Sequence, residues 1–186
     1  YEYQGTTYAC GFLAQWNCAD LAPLQSYLPR QGTLYFFIDN WESATPTVLF
    51  HSGTADQLVS GASLDASQQE RWDNAEPYSA YKAECKVGWS LPSDYSATSN
   101  PHFFPEIARA LLERDNLIEN VKEQLNPHEP GKHHEINAYV FTQHESPELQ
   151  AALKLRGRPE DWTVLLKVAS LGDFQWWDAG DLFFVI

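Results

Sequence analysis

Apolar residues gather in short runs near the two ends of the chain, and those runs echo each other. Gly32-Thr33-Leu34-Tyr35-Phe36-Phe37-Ile38 reappears as Gly180-Asp181-Leu182-Phe183-Phe184-Val185-Ile186, with four of seven positions identical. Upstream of each, Phe12 to Asn17 pairs in kind with Val164 to Ala169. The runs are aromatic and β-branched and too short for helices, so each copy reads as strand, connector, turn glycine, strand. The glycine suits a tight turn or bulge at the strand entry. Read as an internal duplication, the echo places a pseudo-symmetric β core at the centre, with a groove between its halves. Val48 to Phe50 and Lys86 to Trp89 read as further strands.

Helical spacing is clearest in the middle of the chain. Ile107, Leu111, Ile118, Val121 and Leu125 fall on one stripe, behind a first-turn Pro105 and ahead of Asn126-Pro127, which stops the helix. A second helix is predicted from Ser146 to Leu155. Ser146 caps it, Pro147 opens it, Glu148 favours its positive end and Gly157 ends it. A short helix is predicted from Asp20 to Leu28, before Pro29. Polar, Ser/Thr-rich stretches at 39–47, 61–74 and 92–101 read as loops, and 127–132 as a Pro/Gly turn.

Composition narrows the function classes. The 186 residues carry 12 Lys and Arg against 25 Asp and Glu, a formal net charge of −13, with 7 Trp, 9 Tyr and 10 Phe. Such a chain buries enough surface to fold without a disulfide or metal staple. With no basic cluster, it lacks the Lys/Arg stripe that nucleic acids or anionic membranes require. No apolar run reaches transmembrane length. Three scattered cysteines, Cys10, Cys18 and Cys85, read as reduced thiols of a cytoplasmic protein. The absence of Met and the apolar ending at Ile186 point to a single domain over 1–186 that is truncated at both ends.

Familiar catalytic patterns are missing. His128, His133, His134 and His144 lie close together with Glu129, Glu135 and Glu145, a composition that metal sites use. The helical zinc-protease pattern nevertheless fails, because Pro130-Gly131 breaks the helix after His128-Glu129. The expectation is a surface loop with two exposed histidines and a third bonded to a backbone carbonyl, and no metal or cofactor. There is no Gly-x-Ser-x-Gly elbow, phosphate loop or dinucleotide fingerprint. Trp176-Trp177-Asp178 has the composition of a sugar platform, but adjacent tryptophans at a strand entry read better as one core and one rim residue.

Several segments resemble the YwqG-like proteins, a bacterial family of unknown function. Phe12-Leu13-Ala14-Gln15-Trp16-Asn17-Cys18-Ala19-Asp20-Leu21 is similar to that family's Phe-Leu-Ala-Gln-(apolar)-Asn segment. Gly32 to Asp39 resembles its next strand, and Leu91-Pro92-Ser93 its central Leu-Pro-Ser. His134 and Ala138 to Gln143, Trp162 to Val168, and Trp177 to Phe184 resemble its later segments in order. Lys167 stands where the family tends to have Gln. The resemblance implies an α+β fold: a duplicated, twisted, mostly antiparallel β-sheet core with a few packed helices. The echoing strands lie at about 11–38 and 162–186. No catalytic residues are implied, because the family has none established.

Two functions follow from this reading. The first is a non-catalytic protein-interaction module of a bacterial cytoplasm, an immunity-type protein among the options, whose acidic surface suits a basic partner. The second is a small-molecule or enzymatic pocket between the pseudo-repeats, lined by Gln15, Tyr139, Gln143, Trp177 and Asp178. No catalytic residue is expected in the first case, and neither reading fixes the oligomeric state.

Overall fold

The computed structural model describes residues 2–3, 6–7, 10–39, 46–59, 79–88, 133–137, 139, 146–176, 178 and 180–186. Its contacts divide the chain into two compact units, Tyr1–Ala83 and Glu84–Ile186, with one copy of the echo in each. In the first unit, strands β1 (Glu2–Tyr3) and β2 (Thr6–Thr7) form a small antiparallel pair. A three-stranded antiparallel sheet follows, built from β3 (Gly11–Asn17), β4 (Thr33–Ile38) and β5 (Pro46–His51) in that order. In the second unit, β6 (Glu135–Ile136), β7 (Val164–Ala169) and β8 (Asp181–Val185) form another. Together with two short helices these sheets make an α+β fold.

The two hairpins share one register. Phe12, Ala14, Gln15, Trp16 and Asn17 pair with Phe37, Phe36, Tyr35, Leu34 and Thr33. At the echoing positions, Val164, Leu166, Lys167, Val168 and Ala169 pair with Val185, Phe184, Phe183, Leu182 and Asp181. Both ladders shift at the same place, between Phe12 and Ala14 and between Val164 and Leu166. Each shift inserts one extra residue, Leu13 or Leu165, and such a bulge moves the preceding side chain to the opposite face of the strand. The sheets differ in their third strand, which pairs with β4 in the first but with β7, the echo of β3, in the second.

Alternation along the strands selects the core. In β4, Leu34, Phe36 and Ile38 are buried; in β8, Leu182 and Phe184 take the equivalent places. Cys18, Leu21 and Leu28 complete the core of the first unit, and Val164 to Val168, Ala169, Trp176 and Ala152 that of the second. Gly32 enters β4 at φ +98°, where a side chain would stand 2.7 Å from the His51 carbonyl oxygen, so both backbone and space call for glycine. No disulfide joins Cys10, Cys18 and Cys85; Cys18 is buried and Cys85 exposed.

Helix α1 (Cys18–Leu21) starts where Asn17 Oδ1 accepts from the Ala19 amide at 2.9 Å. It is shorter and earlier than the helix predicted over 20–28. Pro23 lies inside that span and has no amide to donate to the preceding turn, so the helix stops after one turn. Helix α2 (Pro147–Leu155) matches its prediction, with Ser146 Oγ accepting from the Leu149 amide at 3.2 Å. It contacts β8 and the turn of 3-10 helix at Pro159–Asp161. Residues 86–88, expected in a strand, have no regular structure, and Val87 is 76% exposed. One apolar side chain between Lys86 and Gly88 offers too little surface to hold a strand on a core. The central helix over 106–125 and the loops at 61–74 and 92–101 lie outside the described residues.

Candidate functional site

Because the bulge turns Phe12 over, an aromatic ring joins the face of the first sheet opposite the core. Three rows cross it: Phe12, Phe37, Thr47; Gln15, Tyr35, Leu49; and Asn17, Thr33, His51. The rings of Phe12 and Phe37 meet edge to face at 5.7 Å, which confirms that they share this side. Phe12 is 52% exposed and Leu49 54% exposed. Two large apolar groups thus face solvent on one flat surface, while the core of the same sheet lies behind them. Gln15 sits exposed in the middle row.

The equivalent face of the second sheet holds ions. Lys167, at the position that echoes Gln15, is only 6% exposed, and all six residues of β7 are buried. Its Nζ pairs with Glu135 Oε2 across the β6–β7 ladder. The other carboxylate oxygen of Glu135 is 3.1 Å from His133 Nε2. Next along the chain, His134 Nδ1 accepts a hydrogen bond from the Ala169 amide at 3.1 Å. A backbone amide can only donate, so Nδ1 is unprotonated and the ring proton lies on Nε2. Partial burial and the positive charge of Lys167 hold the His134 imidazole below its ordinary range, and His133 adds to this, whereas Asp181 opposes it. Burial pushes the Asp181 carboxyl up, against the opposing pull of Lys167. Of the four histidines, His133 and His134 are exposed, and His128 and His144 lie outside the described residues.

Asp181 opens β8 beside a closely tied loop. Ser170 Oγ donates to the Gly180 carbonyl at 2.7 Å and accepts from the Trp176 amide at 2.9 Å. Phe174 stacks on Trp176 and meets the His134 ring edge-on at 5.6 Å. Trp176 is buried, the core member of its pair as expected.

The sequence-predicted ligand residues are placed separately. Gln15 belongs to the first unit, and Tyr139 and Asp178 to the second, both exposed. Gln143 and Trp177 lie outside the described residues. The ionic group Glu135–Lys167–Asp181 was not singled out as a site in the sequence. Its one visible signal was a lysine in the middle of the apolar run Val164 to Ala169. Among the described residues, no group of three or more His, Cys, Asp or Glu side chains could hold a metal ion, and no helix is long and apolar enough to cross a membrane.

No curated protein and no solved structure matches the chain. A family model described as a domain of unknown function, DUF1963, matches residues 2–186, and the chain belongs to that family.

Proposed function

We propose that this chain is a non-catalytic protein-interaction module of the YwqG-like type, working in a bacterial cytoplasm, and that it docks a basic protein. The observation that carries the reading is the exposed apolar face of the first sheet, with Phe12 and Leu49 each about half in solvent. Phe12 and Leu49 share this face with Phe37 and Tyr35, and apolar groups gathered on one solvent-facing surface mark recognition sites more often than scattered ones do. The net charge of −13 favours a basic partner by raising the encounter rate. An immunity-type protein that neutralises a basic toxin has this chemistry.

The test is native mass spectrometry of the full-length protein purified gently from its own host. The expected result is a stoichiometric basic protein companion that is lost when Phe12 and Leu49 are both changed to Ser. The same companion retained undiminished by that variant overturns the proposed face.

A second reading, a small-molecule or enzymatic pocket lined by Gln15, Tyr139, Gln143, Trp177 and Asp178, draws support from a separate observation. The buried Lys167–Glu135 pair is flanked by His134 and by Asp181, whose carboxyl is raised by burial. Groups perturbed in this way gather at ligand sites more often than elsewhere. In the same mass spectrum, a small adduct that disappears on denaturation supports this reading, and its retention after Asp178→Ala and Gln143→Ala counts against these lining residues.

A further inference from the structure

We propose that His134 is a proton-operated latch, which clips strand β6 to β7 while its ring is neutral and releases it when the ring is protonated. Strand β6 is only two residues long and has two register pairs, Glu135 with Lys167 and Ile136 with Leu166. It is therefore held mainly by what flanks it. On one side the Asn137 amide donates to the Leu165 carbonyl at 3.1 Å. On the other, His134 Nδ1 takes the Ala169 amide at the end of β7. That bond needs a lone pair on Nδ1. Protonation converts the acceptor into a donor facing another donor, so the contact turns from attractive to repulsive.

The surrounding charges reinforce this change. From β7, Lys167 faces the new imidazolium with like charge. On the β6 segment itself, His133 lies against Glu135 Oε1, while Lys167 takes Oε2. Because His133 and Glu135 belong to the same short segment, their mutual attraction does nothing to hold that segment on β7. Among the described residues, Asp181 on β8 is the group that opposes this change. Its carboxyl is raised, so it loses its charge at a higher pH than an ordinary Asp and its support fades as acid is added.

The sign is fixed by linkage. The latched ring has a lowered proton affinity relative to the released one, so the released form binds more protons. Opening is therefore favoured as pH falls below the ordinary histidine value of about 6.5, by up to about tenfold per pH unit until the latched ring itself titrates. Below that point the effect levels off. Release uncovers the edge of β7 that β6 covers, a row of backbone donors and acceptors able to pair with another strand.

Amide hydrogen exchange of the full chain, corrected for the intrinsic pH dependence of exchange, tests the proposal. The Ala169 amide and those of Glu135 to Asn137 are expected to lose protection as the pH is lowered from about 7.5 to about 5. His134→Asn places an acceptor oxygen near the position of Nδ1 but cannot titrate, so its protection should stay level across the range. His133→Asn should retain the step. An unchanged step in His134→Asn, or no step in the parent protein, overturns the latch. If His134→Asn does not fold, nitrogen NMR of the parent histidine decides the matter. A proton on Nδ1 at neutral pH, or a His134 that titrates at or above the ordinary value, overturns the proposal.

Discussion

Replacing Lys167 by Met removes the cation of the buried pair and leaves its packing volume nearly unchanged. The side chains of Lys167 and Glu135 are 7% and 20% exposed, so water replaces little of what the pair supplies. Removing one member of a fully buried pair costs about 3–5 kcal/mol, because the other charge is left uncompensated. Glu135 retains His133 on its other oxygen and some solvent, which places Lys167→Met below that range, at about 2–3 kcal/mol. The double variant Lys167→Met with Glu135→Leu leaves no charge behind. It should return to within about 1 kcal/mol of the parent, since well-packed apolar replacements of buried pairs are often neutral or better. Urea unfolding gives the global values, and hydrogen exchange of the β7 amides reads the second unit separately from the first. The double-mutant cycle should show a coupling of at least about 1 kcal/mol. A loss below about 0.5 kcal/mol for Lys167→Met, or a double variant that costs the sum of the two singles, refutes a buried, mutually dependent pair.

Three further substitutions test the packing and the cap. Phe36 and Phe184 occupy echoing positions and are both fully buried, so changing either to Ala should cost about 3–5 kcal/mol in its own unit, measured by urea unfolding with exchange of β4 or β8 amides. Ser146→Ala removes the acceptor for the Leu149 amide at a buried cap and should cost about 1 kcal/mol, with the first turn of α2 exchanging faster.

Much of the strand framework was legible because alternation and a turn glycine repeat together. The pairing of Gly32–Ile38 with its upstream strand, and of the echo with its own, follows from apolar positions two apart. The matching bulges did not follow, since an extra residue leaves no mark where its neighbours, Phe12 to Ala14 and Val164 to Leu166, are all apolar. Strand β6 was invisible for a different reason. Two residues carry no period, and Glu135 and Ile136 form a strand only because β7 lies beside them. Ser146, Pro147 and Gly157 marked α2 because each satisfies a local backbone requirement. Over Asp20 to Leu28 the expected helix gives way to a single turn, because Pro23 has no amide to donate to it. The ionic site was half visible: Lys167 stood out in its strand, but its partner Glu135 comes from a distant segment that only the sheet brings near.

The duplicated register lets one position be compared in two settings. Gln15 and Lys167 occupy equivalent rungs with an aromatic neighbour, Tyr35 or Phe183, on the next strand. In the second sheet that rung is buried, and the lysine there is tolerated because Glu135 meets it from β6. In the first sheet the rung is open, and a neutral amide suffices. The side chains around Gln15 are a different matter. Leu34, Phe36 and Ile38 already supply the core on the opposite face, whereas Phe12 and Leu49 leave about half their surface in water. Folding alone does not require them to be apolar, since polar residues serve on the solvent side of an antiparallel sheet. The variant with both changed to Ser should therefore remain folded to within about 1 kcal/mol of the parent, as surface substitutions usually do. Loss of the companion with stability retained separates recognition from folding. A variant that unfolds would instead make these two residues part of the core, and the exposed face would lose its claim as a docking surface.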